Sequence, residues 1–199
     1  MTTPASPRQP ATKRGRDTRD AILRAAEDVI GARGFAAASI ADITRAAGIA
    51  QGTFYIYFDG KEQVFRELVA EMGRFTRRTI SEAVAGARDR MEAERIGLRT
   101  FLEIAATRPT LYSIVEEARF VDLPSYDAYF TGFARNYARN LDAAAKEGTI
   151  RPGNPEIRAW ALMGLAVTLG ERYGQRNPGA DRDAVVAEVF DMLERGLRP

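Results

Sequence analysis

The chain has 199 residues, of which 45% are apolar and 28% are charged, and its formal net charge is only +2. This balance is typical of a globular protein with a substantial core, and it excludes collagen-like and intrinsically disordered chains. The sequence contains neither cysteine nor histidine, so it lacks disulfides, thiol nucleophiles, the commonest general base and the usual zinc ligands, and we expect no enzyme activity, metal or cofactor.

Membrane and secretory classes are also disfavoured. No apolar run approaches the roughly 18 residues that a membrane-spanning helix needs. The amino-terminal segment has no apolar region of the kind found in secretory signals. We therefore expect a cytoplasmic protein with no membrane partner.

The amino-terminal segment is strongly basic. Residues 1–19 contain five cationic side chains, one acidic side chain and three prolines. This composition predicts a flexible basic arm over residues 1–16, which is either a solvated tail or a contact for a polyanion such as a nucleic acid.

The first helix is predicted over residues 18–33. Apolar side chains recur at helical spacing from Ile22 onward, and Gly34 interrupts the pattern where a helix needs a terminating residue. Phe35 follows directly, in a position to pack back on the helix.

A pair of short helices follows. Ser39, with Asp42 three residues later, forms a variant capping box and predicts a helix that ends at Gly48. The aromatic-rich segment 51–58 then predicts a helix that is too short to bury itself alone. A glycine between two short helices is typical both of a helix-turn-helix and of a purely structural helical corner, so the pattern alone leaves both open.

Longer helices are predicted over the rest of the chain. Asp59 with Glu62 forms a second capping box, which begins a long amphipathic helix through Phe75. Five more predicted helices lie over residues 94–106, 109–118, 124–148, 155–173 and 182–197. We find no alternating strand pattern, repeat or phosphate-binding glycine loop, so the predicted fold class is all-α with about nine helices.

Segment 18–69 resembles the DNA-binding domain of the TetR family of transcriptional regulators. The spacing of the motifs that carry the resemblance is intact over about fifty residues: Gly34-Phe35, Ser39-Ile40-Ala41-Asp42-Ile43, Ala46-Ala47-Gly48-Ile49, Gly52-Thr53-Phe54-Tyr55, Tyr57-Phe58 and Lys61-Glu62. The resemblance implies a homodimer with a three-helix DNA-binding domain over residues 17–63 and a helical effector-binding and dimerisation domain over residues 64–199.

The resemblance also implies which residues contact a double-stranded DNA operator. Ser39, Tyr55 and Lys61 match phosphate contacts, whereas Gln51 and Thr53 match positions that read base edges, and a glutamine amide pairs well with adenine.

Two further features bear on DNA binding. In some relatives a basic extension reaches the minor groove or the DNA backbone, which makes candidates of Lys13, Arg14 and Arg16. Ala50 stands where many members carry a serine or threonine cap, so the next helix should start with a weaker cap.

The carboxyl-terminal half is rich in aromatic residues in its middle helices. Such residues most often form ordinary core, but as a set they also suggest an apolar cavity with hydroxyl groups for a hydrophobic effector. The candidate ligand-binding residues are Phe101, Tyr112, Arg119, Phe120, Tyr126, Tyr129, Phe130, Phe133 and Trp160. Segment 108–129 is similar to regulators of fatty-acid and aromatic-acid degradation, which implies an acyl-CoA or an organic acid, and a hydrophobic cation is the competing effector.

The last two helices fit the dimerisation pair of the family. Their apolar residues form either a four-helix interface between subunits or core within one subunit, and the sequence does not separate the two. The function implied is a repressor that binds a palindromic operator and is released by its effector. The alternative is a helical ligand- or protein-binding module that has lost DNA binding.

Overall fold

The computed structural model describes residues 12–197, and its side-chain environments extend to residue 195. The described residues form nine α-helices and no strand, which confirms the predicted all-α class. The first four helices are α1 (Lys13–Arg33), α2 (Ile40–Ala46), α3 (Gln51–Tyr57) and α4 (Lys61–Val84). The remaining five are α5 (Arg90–Thr107), α6 (Pro109–Val121), α7 (Leu123–Lys146), α8 (Pro155–Leu169), which continues into a π-helical segment (Gly170–Gln175), and α9 (Arg182–Leu197).

The first helix begins five residues earlier than predicted. Thr12 is its N-cap, and the Thr12 side chain accepts a hydrogen bond of 3.1 Å from the backbone N–H of Gly15. A threonine cap satisfies one of the N–H groups that a helix start leaves unpaired. Lys13, Arg14 and Arg16 therefore lie in the first turn of α1 rather than in an arm, and residues 1–11 of the predicted arm lie outside the described residues.

The described residues form two compact units. The first, which we call the head unit, contains the chain up to Met72 together with Thr110–Tyr126. The second, the body unit, contains Gly73–Pro109 and the chain from Asp127 onward. This division differs from the predicted boundary between residues 63 and 64, since α6 and the early part of α4 belong with α1–α3.

The head unit has its own apolar core. Side chains that are at most 1% exposed come from α1, α2, α4, α6 and the segment around α3: Ile22, Ala26, Ile30, Ile43, Phe54, Phe58, Val64, Phe65, Val69, Ile114 and Ala118. Burial of this much apolar surface stabilises the two seven-residue helices α2 and α3, which would be marginal in isolation.

The body unit is held by a second cluster in which α5, α7, α8 and α9 meet. Its fully buried members are Leu102, Leu141, Ile150, Ala159 and Phe190. Local caps fix where these helices begin. Asp89 accepts from the backbone N–H of Glu92 at 2.8 Å, so α5 starts before the predicted residue 94.

Candidate functional site

The junction of α2 and α3 is a tight turn built around one glycine. Gly48 has a φ of 67°, a backbone conformation that glycine adopts without strain because it has no Cβ. The N–H of Ile49 donates to the carbonyl of Thr44 at 3.0 Å, and the N–H of Gly48 donates to the carbonyl of Arg45 at 3.2 Å. These two bonds form a Schellman motif, which ends α2 and directs the chain into α3.

One face of α3 is exposed and the other is buried. Phe54 is 0% exposed, whereas Tyr55 is 46% exposed and its ring packs edge-on against Phe54 with 5.4 Å between ring centroids. Gln51 is also exposed, and Thr53 is partly buried. The predicted base-contacting and phosphate-contacting residues of α3 are therefore accessible from solvent, on a helix that Phe54 anchors.

The amino terminus of α3 lacks a side-chain cap. Ala50 is the N-cap residue and makes no side-chain hydrogen bond there. This agrees with the weaker cap that the sequence predicts at Ala50, because an alanine side chain has no oxygen to accept from the first N–H groups.

Two glycines of this segment provide a matched pair of predictions. Around both Gly48 and Gly52, a Cβ would meet nothing within 4 Å, so only backbone conformation decides the effect of an alanine. We expect Gly48→Ala to lower the free energy of unfolding by about 1–2 kcal/mol, because alanine is strained at positive φ. Gly52→Ala should raise it by up to about 1 kcal/mol, because alanine favours helix. Urea unfolding followed by circular dichroism measures both, and equal effects of the two variants would contradict this account.

The start of α2 carries an ionic network. The Ser39 Oγ accepts from the N–H of Asp42 at 3.1 Å and donates to its Oδ2 at 2.6 Å. Arg45 and Arg33 lie 2.9 Å and 3.5 Å from the same carboxylate. The hydrogen bond from Ser39, aided by the two guanidinium groups, lowers the pKa of Asp42 below its usual value.

Sequence reasoning missed the two arginines of this network. Arg33 and Arg45 have side chains that are 57% and 74% exposed, and both reach the carboxylate that Ser39 also contacts. They bring positive charge next to the predicted phosphate contact at Ser39. Arg33 is the last residue of α1, and only folding brings it to this carboxylate. Arg45 lies three residues after Asp42 on α2, and this spacing could have indicated the pair.

Lys61 has a structural role in addition to its predicted one. Its Nζ donates to the carbonyl oxygens of Phe35 and Ala38, each at 2.6 Å, and lies 4.2 Å from the centroid of the Phe35 ring. Two of its three donors are therefore committed to the backbone. The phosphate contact stays a prediction, and it would use the remaining N–H.

Phe35 joins the end of α1 to both α4 and α6. Its backbone N–H donates to the two carboxylate oxygens of Glu117, at 2.8 Å and 2.9 Å. Its ring packs edge-on against Phe65, with 4.9 Å between centroids. A second link joins α4 to the end of α6, where Arg66 lies 3.3 Å from Asp122. These contacts hold α6 within the head unit.

Three of the predicted ligand-binding residues pack directly against one another. Tyr129, Phe130 and Phe133 of the body unit form one aromatic cluster, with centroid distances of 5.0 Å and 5.3 Å from Tyr129. Phe101 also belongs to the body unit. The four other candidates from α6 and the start of α7 belong to the head unit: Tyr112, Arg119, Phe120 and Tyr126.

Two predicted ligand-binding aromatics lie on the surface of the described chain. Phe120 is 86% exposed and Trp160 is 43% exposed. Neither is enclosed in the way that an apolar ligand site requires.

A buried ionic cluster links α5 and α7 in the body unit. Glu94 is 6% exposed, accepts from the Nε of Arg90 at 2.7 Å, and also accepts from the Tyr137 hydroxyl. Burial raises the pKa of Glu94 above its usual value, and burial together with the nearby carboxylate raises the pKa of Tyr137. Both shifts arise because a low-dielectric surrounding disfavours the charged form.

The pKa of Glu94 leads to a pH prediction with a definite sign. Because the folded carboxyl keeps its proton to higher pH than the unfolded one, its contribution to stability is complete below about pH 4.5 and is lost as the pH rises through the folded pKa. We expect the stability of Glu94→Gln relative to the native chain to increase between pH 4.5 and pH 8. Unfolding by urea across that range measures the difference.

Glu92 provides a control of opposite sign on the same helix. Its hydrogen bond from Arg88 lowers its pKa, so the native chain gains stability as Glu92 ionises. Glu92→Gln should therefore lose stability relative to the native chain as the pH rises through 4.5. The same sign for both variants would contradict the assignment.

Two other features were not found among the described residues. None of the described helices is both long and apolar enough to cross a bilayer. Within residues 12–197, no three acidic side chains come close enough together to hold a metal ion.

The helices predicted to dimerise bury one face within the chain. Ala159, Leu162 and Met163 of α8 and Val186 and Phe190 of α9 are buried in the single chain. For these residues the alternative of burial within one subunit is the correct one. The surface that α8 leaves exposed is different, and it contains Ile157, Trp160, Ala161 and Gly164.

The chain is similar in sequence to known proteins. Residues 22–68 match the family described as bacterial regulatory proteins, tetR family. The uncharacterized HTH-type transcriptional regulator YvdT of Bacillus subtilis is 39% identical over 183 residues, which cover 88% of this chain and 93% of that protein. The match to residues 22–68 includes all of α2 and α3.

Two solved structures share the fold over most of their length. The fatty acid degradation regulator FadR from Bacillus halodurans superposes with a TM-score of 0.75 at 25% identity, over 88% of this chain and 94% of that one. The transcriptional regulator FadR from Bacillus subtilis, solved in complex with stearoyl-CoA, has a TM-score of 0.75 at 20% identity, over 87% of this chain and 96% of that one.

Proposed function

The chain belongs to the TetR family of bacterial DNA-binding transcriptional regulators, and we propose that it is a repressor released by a hydrophobic, anionic effector. In this proposal the chain binds a palindromic operator as a homodimer. An acyl-CoA or a fatty or aromatic acid binds the body unit and lowers the affinity for DNA.

The exposed face of α3 carries the DNA-binding part of the proposal. Phe54 is buried beneath it, and Gln51 and Tyr55 reach solvent from a helix whose entry the Gly48 turn fixes. Such an arrangement allows a short helix to enter the major groove, with polar side chains at base edges and phosphates. Lys13, Arg14 and Arg16, in the first turn of α1, would add phosphate contacts.

The exposed face of α8 supports a homodimer. Ile157, Trp160, Ala161 and Gly164 follow the i, i+3, i+4, i+7 spacing of one helix face. On α9, Met192 is 58% exposed. A face with large apolar residues beside small ones allows close packing of a second copy, and two-fold symmetry would set two α3 helices about 34 Å or more apart on DNA.

The aromatic cluster of α7 supports a hydrophobic effector. Tyr129 and Phe130 are buried together with Phe133 nearby, and the Tyr129 hydroxyl adds polarity to an apolar surface. Both FadR structures support the same class of effector, because one protein is a fatty acid degradation regulator and the other was solved in complex with stearoyl-CoA.

A selection from random double-stranded DNA tests the DNA-binding part. We expect an inverted repeat to be enriched, Gln51→Ala to relax the preference at one base position, and Tyr55→Ala to weaken binding to all sequences. Arg14→Gln should reduce the slope of log affinity against log salt by about 1, whereas Arg78→Gln, a matched charge change in the body unit, should leave it unchanged. Failure to enrich any sequence would favour the alternative of a module without DNA binding.

The effector part needs its own measurement. We expect fatty acids or acyl-CoAs to raise the melting temperature of the full chain and to release the selected DNA. Stabilisation by hydrophobic cations instead would support the competing multidrug effector, and release by neither class would refute the effector proposal while leaving DNA binding intact.

A further inference from the structure

Two helix faces of the body unit enclose an arginine. Gly73, Thr76 and Arg77 lie on one face of α4 at i, i+3 and i+4. Tyr129, Gly132 and Phe133 have the same spacing on α7. These two faces meet at the guanidinium of Arg77.

The two glycines leave the space that the guanidinium fills. A Cβ on Gly73 would lie 3.1 Å from the Nη1 of Arg77 and 3.1 Å from the Cδ2 of Tyr129, and a Cβ on Gly132 would lie 3.2 Å from the same Nη1. The guanidinium carbon is 5.2 Å from the centroid of the Phe133 ring. A larger residue at either glycine would displace the charged group.

Arg77 has no anionic partner in this position. It is partly buried, and among the residues that the structure describes it makes no hydrogen bond or ion pair, only the ring contact. A guanidinium offers five N–H donors, and donors removed from water are costly when left unpaired. The position therefore suits an anion that the chain itself does not supply.

Thr76 provides a second, independent observation. Its side chain is 0% exposed, and its Oγ1 is the buried side-chain polar atom that lacks a hydrogen-bond partner in the described part of the chain. In contrast, Thr79 on the same helix bonds to the carbonyl of Phe75 at 3.0 Å. A buried hydroxyl without a partner on the same face as an unpaired guanidinium indicates that a polar ligand atom belongs there.

We propose that Arg77 and Thr76 bind the anionic oxygen group of the effector, a carboxylate or a phosphate, with Tyr129 and Phe133 as its apolar wall. The inference rests on the proposed function and goes further, since it assigns the charge recognition to α4 rather than to Arg119 of α6. A guanidinium pairs with carboxylates and phosphates through two parallel hydrogen bonds, and a single hydroxyl donor completes the set.

Three probes of equal chain length test the assignment by calorimetry on the full chain: dodecanoate, dodecanoyl-CoA and uncharged dodecanol. We expect an anionic probe to bind at least tenfold more tightly than dodecanol. Arg77→Gln should reduce the affinity for this anionic probe at least tenfold and leave the affinity for dodecanol unchanged. The anion whose affinity falls identifies whether a carboxylate or a phosphate occupies the site.

Three further variants separate recognition from structure. Arg78 is the matched control, because its side chain is 70% exposed and pairs with Glu82. Arg78→Gln should therefore leave the affinity for all three probes unchanged. Thr76→Val keeps the shape of the side chain and removes its hydroxyl. It should lower the affinity for the anionic probe several-fold without unfolding the chain. Gly132→Ala should lower the affinity for the anionic probe by displacing Arg77, and the affinity for dodecanol should again be unchanged.

The outcomes also separate this inference from the proposed function. Equal binding of dodecanol and the anions, or equal losses in Arg77→Gln and Arg78→Gln, would overturn the assignment while a hydrophobic effector remained. Binding of none of the three probes by a preparation that still binds its selected DNA would overturn both the assignment and the effector class.

Discussion

Replacing Phe54 by alanine is expected to lower the free energy of unfolding by about 3–5 kcal/mol, because truncation of a buried phenylalanine loses its transfer energy and leaves a cavity. The side chain is 0% exposed, and its ring lies 5.4 Å from that of Tyr55 and 5.7 Å from that of Phe58. α3 has only seven residues, so it has no other fully buried anchor of this size. The loss is a large part of the roughly 5–15 kcal/mol that stabilises a typical domain.

Ile56 provides the matched control on the same helix. It is 61% exposed, so Ile56→Ala should change the free energy of unfolding by no more than about 0.5 kcal/mol. Urea titration by circular dichroism measures stability, and fluorescence anisotropy with the selected DNA measures binding. We expect Phe54→Ala to lose DNA binding together with stability. A variant that binds DNA normally after a loss of this size would show that α3 is not the element that contacts DNA.

The features predicted best from the sequence are those set by one residue and its nearest neighbours. Gly48 ends α2 because a glycine readily adopts the positive φ that this turn requires. Ser39 likewise caps α2 as predicted. Such signals are complete within four residues, so the all-α class and most helix boundaries follow from them.

Boundaries with competing local signals were harder to predict. Gly15 disfavours helix by its conformational freedom, which hid the Thr12 cap and the first turn of α1. Before α4 it is the Gln63 side chain, rather than the predicted Glu62, that accepts from the N–H of Asp59, at 2.6 Å. Before α4, two neighbouring residues were capable of the same role, and only the folded geometry selects one.

The site residues that sequence reasoning missed depend on contacts between distant segments. Glu117 meets Phe35 across 82 residues, and Arg77 meets Phe133 across two helices. Neither pair has a sequence spacing that relates its two members. Tyr112 and Tyr129 belong to different units, which no sequence spacing indicates, and their shared role in effector binding stays a prediction.

Glu117→Ala is expected to uncouple effector binding from DNA release. Glu117 lies on α6 and holds the backbone N–H of Phe35 through both carboxylate oxygens, and Lys61 holds the carbonyl of the same residue. α6 leads within two residues into α7, which carries the proposed effector-binding aromatics Tyr129 and Phe133. A displacement of α7 on effector binding would therefore reach Phe35, at the end of α1, through Glu117.

The size of the effect follows from the bond and from typical coupling energies. Removing a charged acceptor from a backbone N–H costs about 1.5–3 kcal/mol, so Glu117→Ala should lower stability by that amount. Coupling between sites typically amounts to 1–3 kcal/mol, or roughly 5–150-fold in affinity. We expect the ratio of DNA affinities without and with effector to fall from that range towards 1, as measured by anisotropy at saturating effector.

Glu117→Gln distinguishes coupling from simple destabilisation. The amide keeps one oxygen that can accept from Phe35, so this variant should retain most of the stability and most of the coupling, whereas Glu117→Ala loses both. Calorimetry should find unchanged effector affinity in the absence of DNA for both variants, because Glu117 is in the head unit and the proposed anion site is in the body unit. Full DNA release from Glu117→Ala would mean that the signal reaches α1–α3 by another path, of which the continuous helix α4 is the candidate, since it contributes residues to both units.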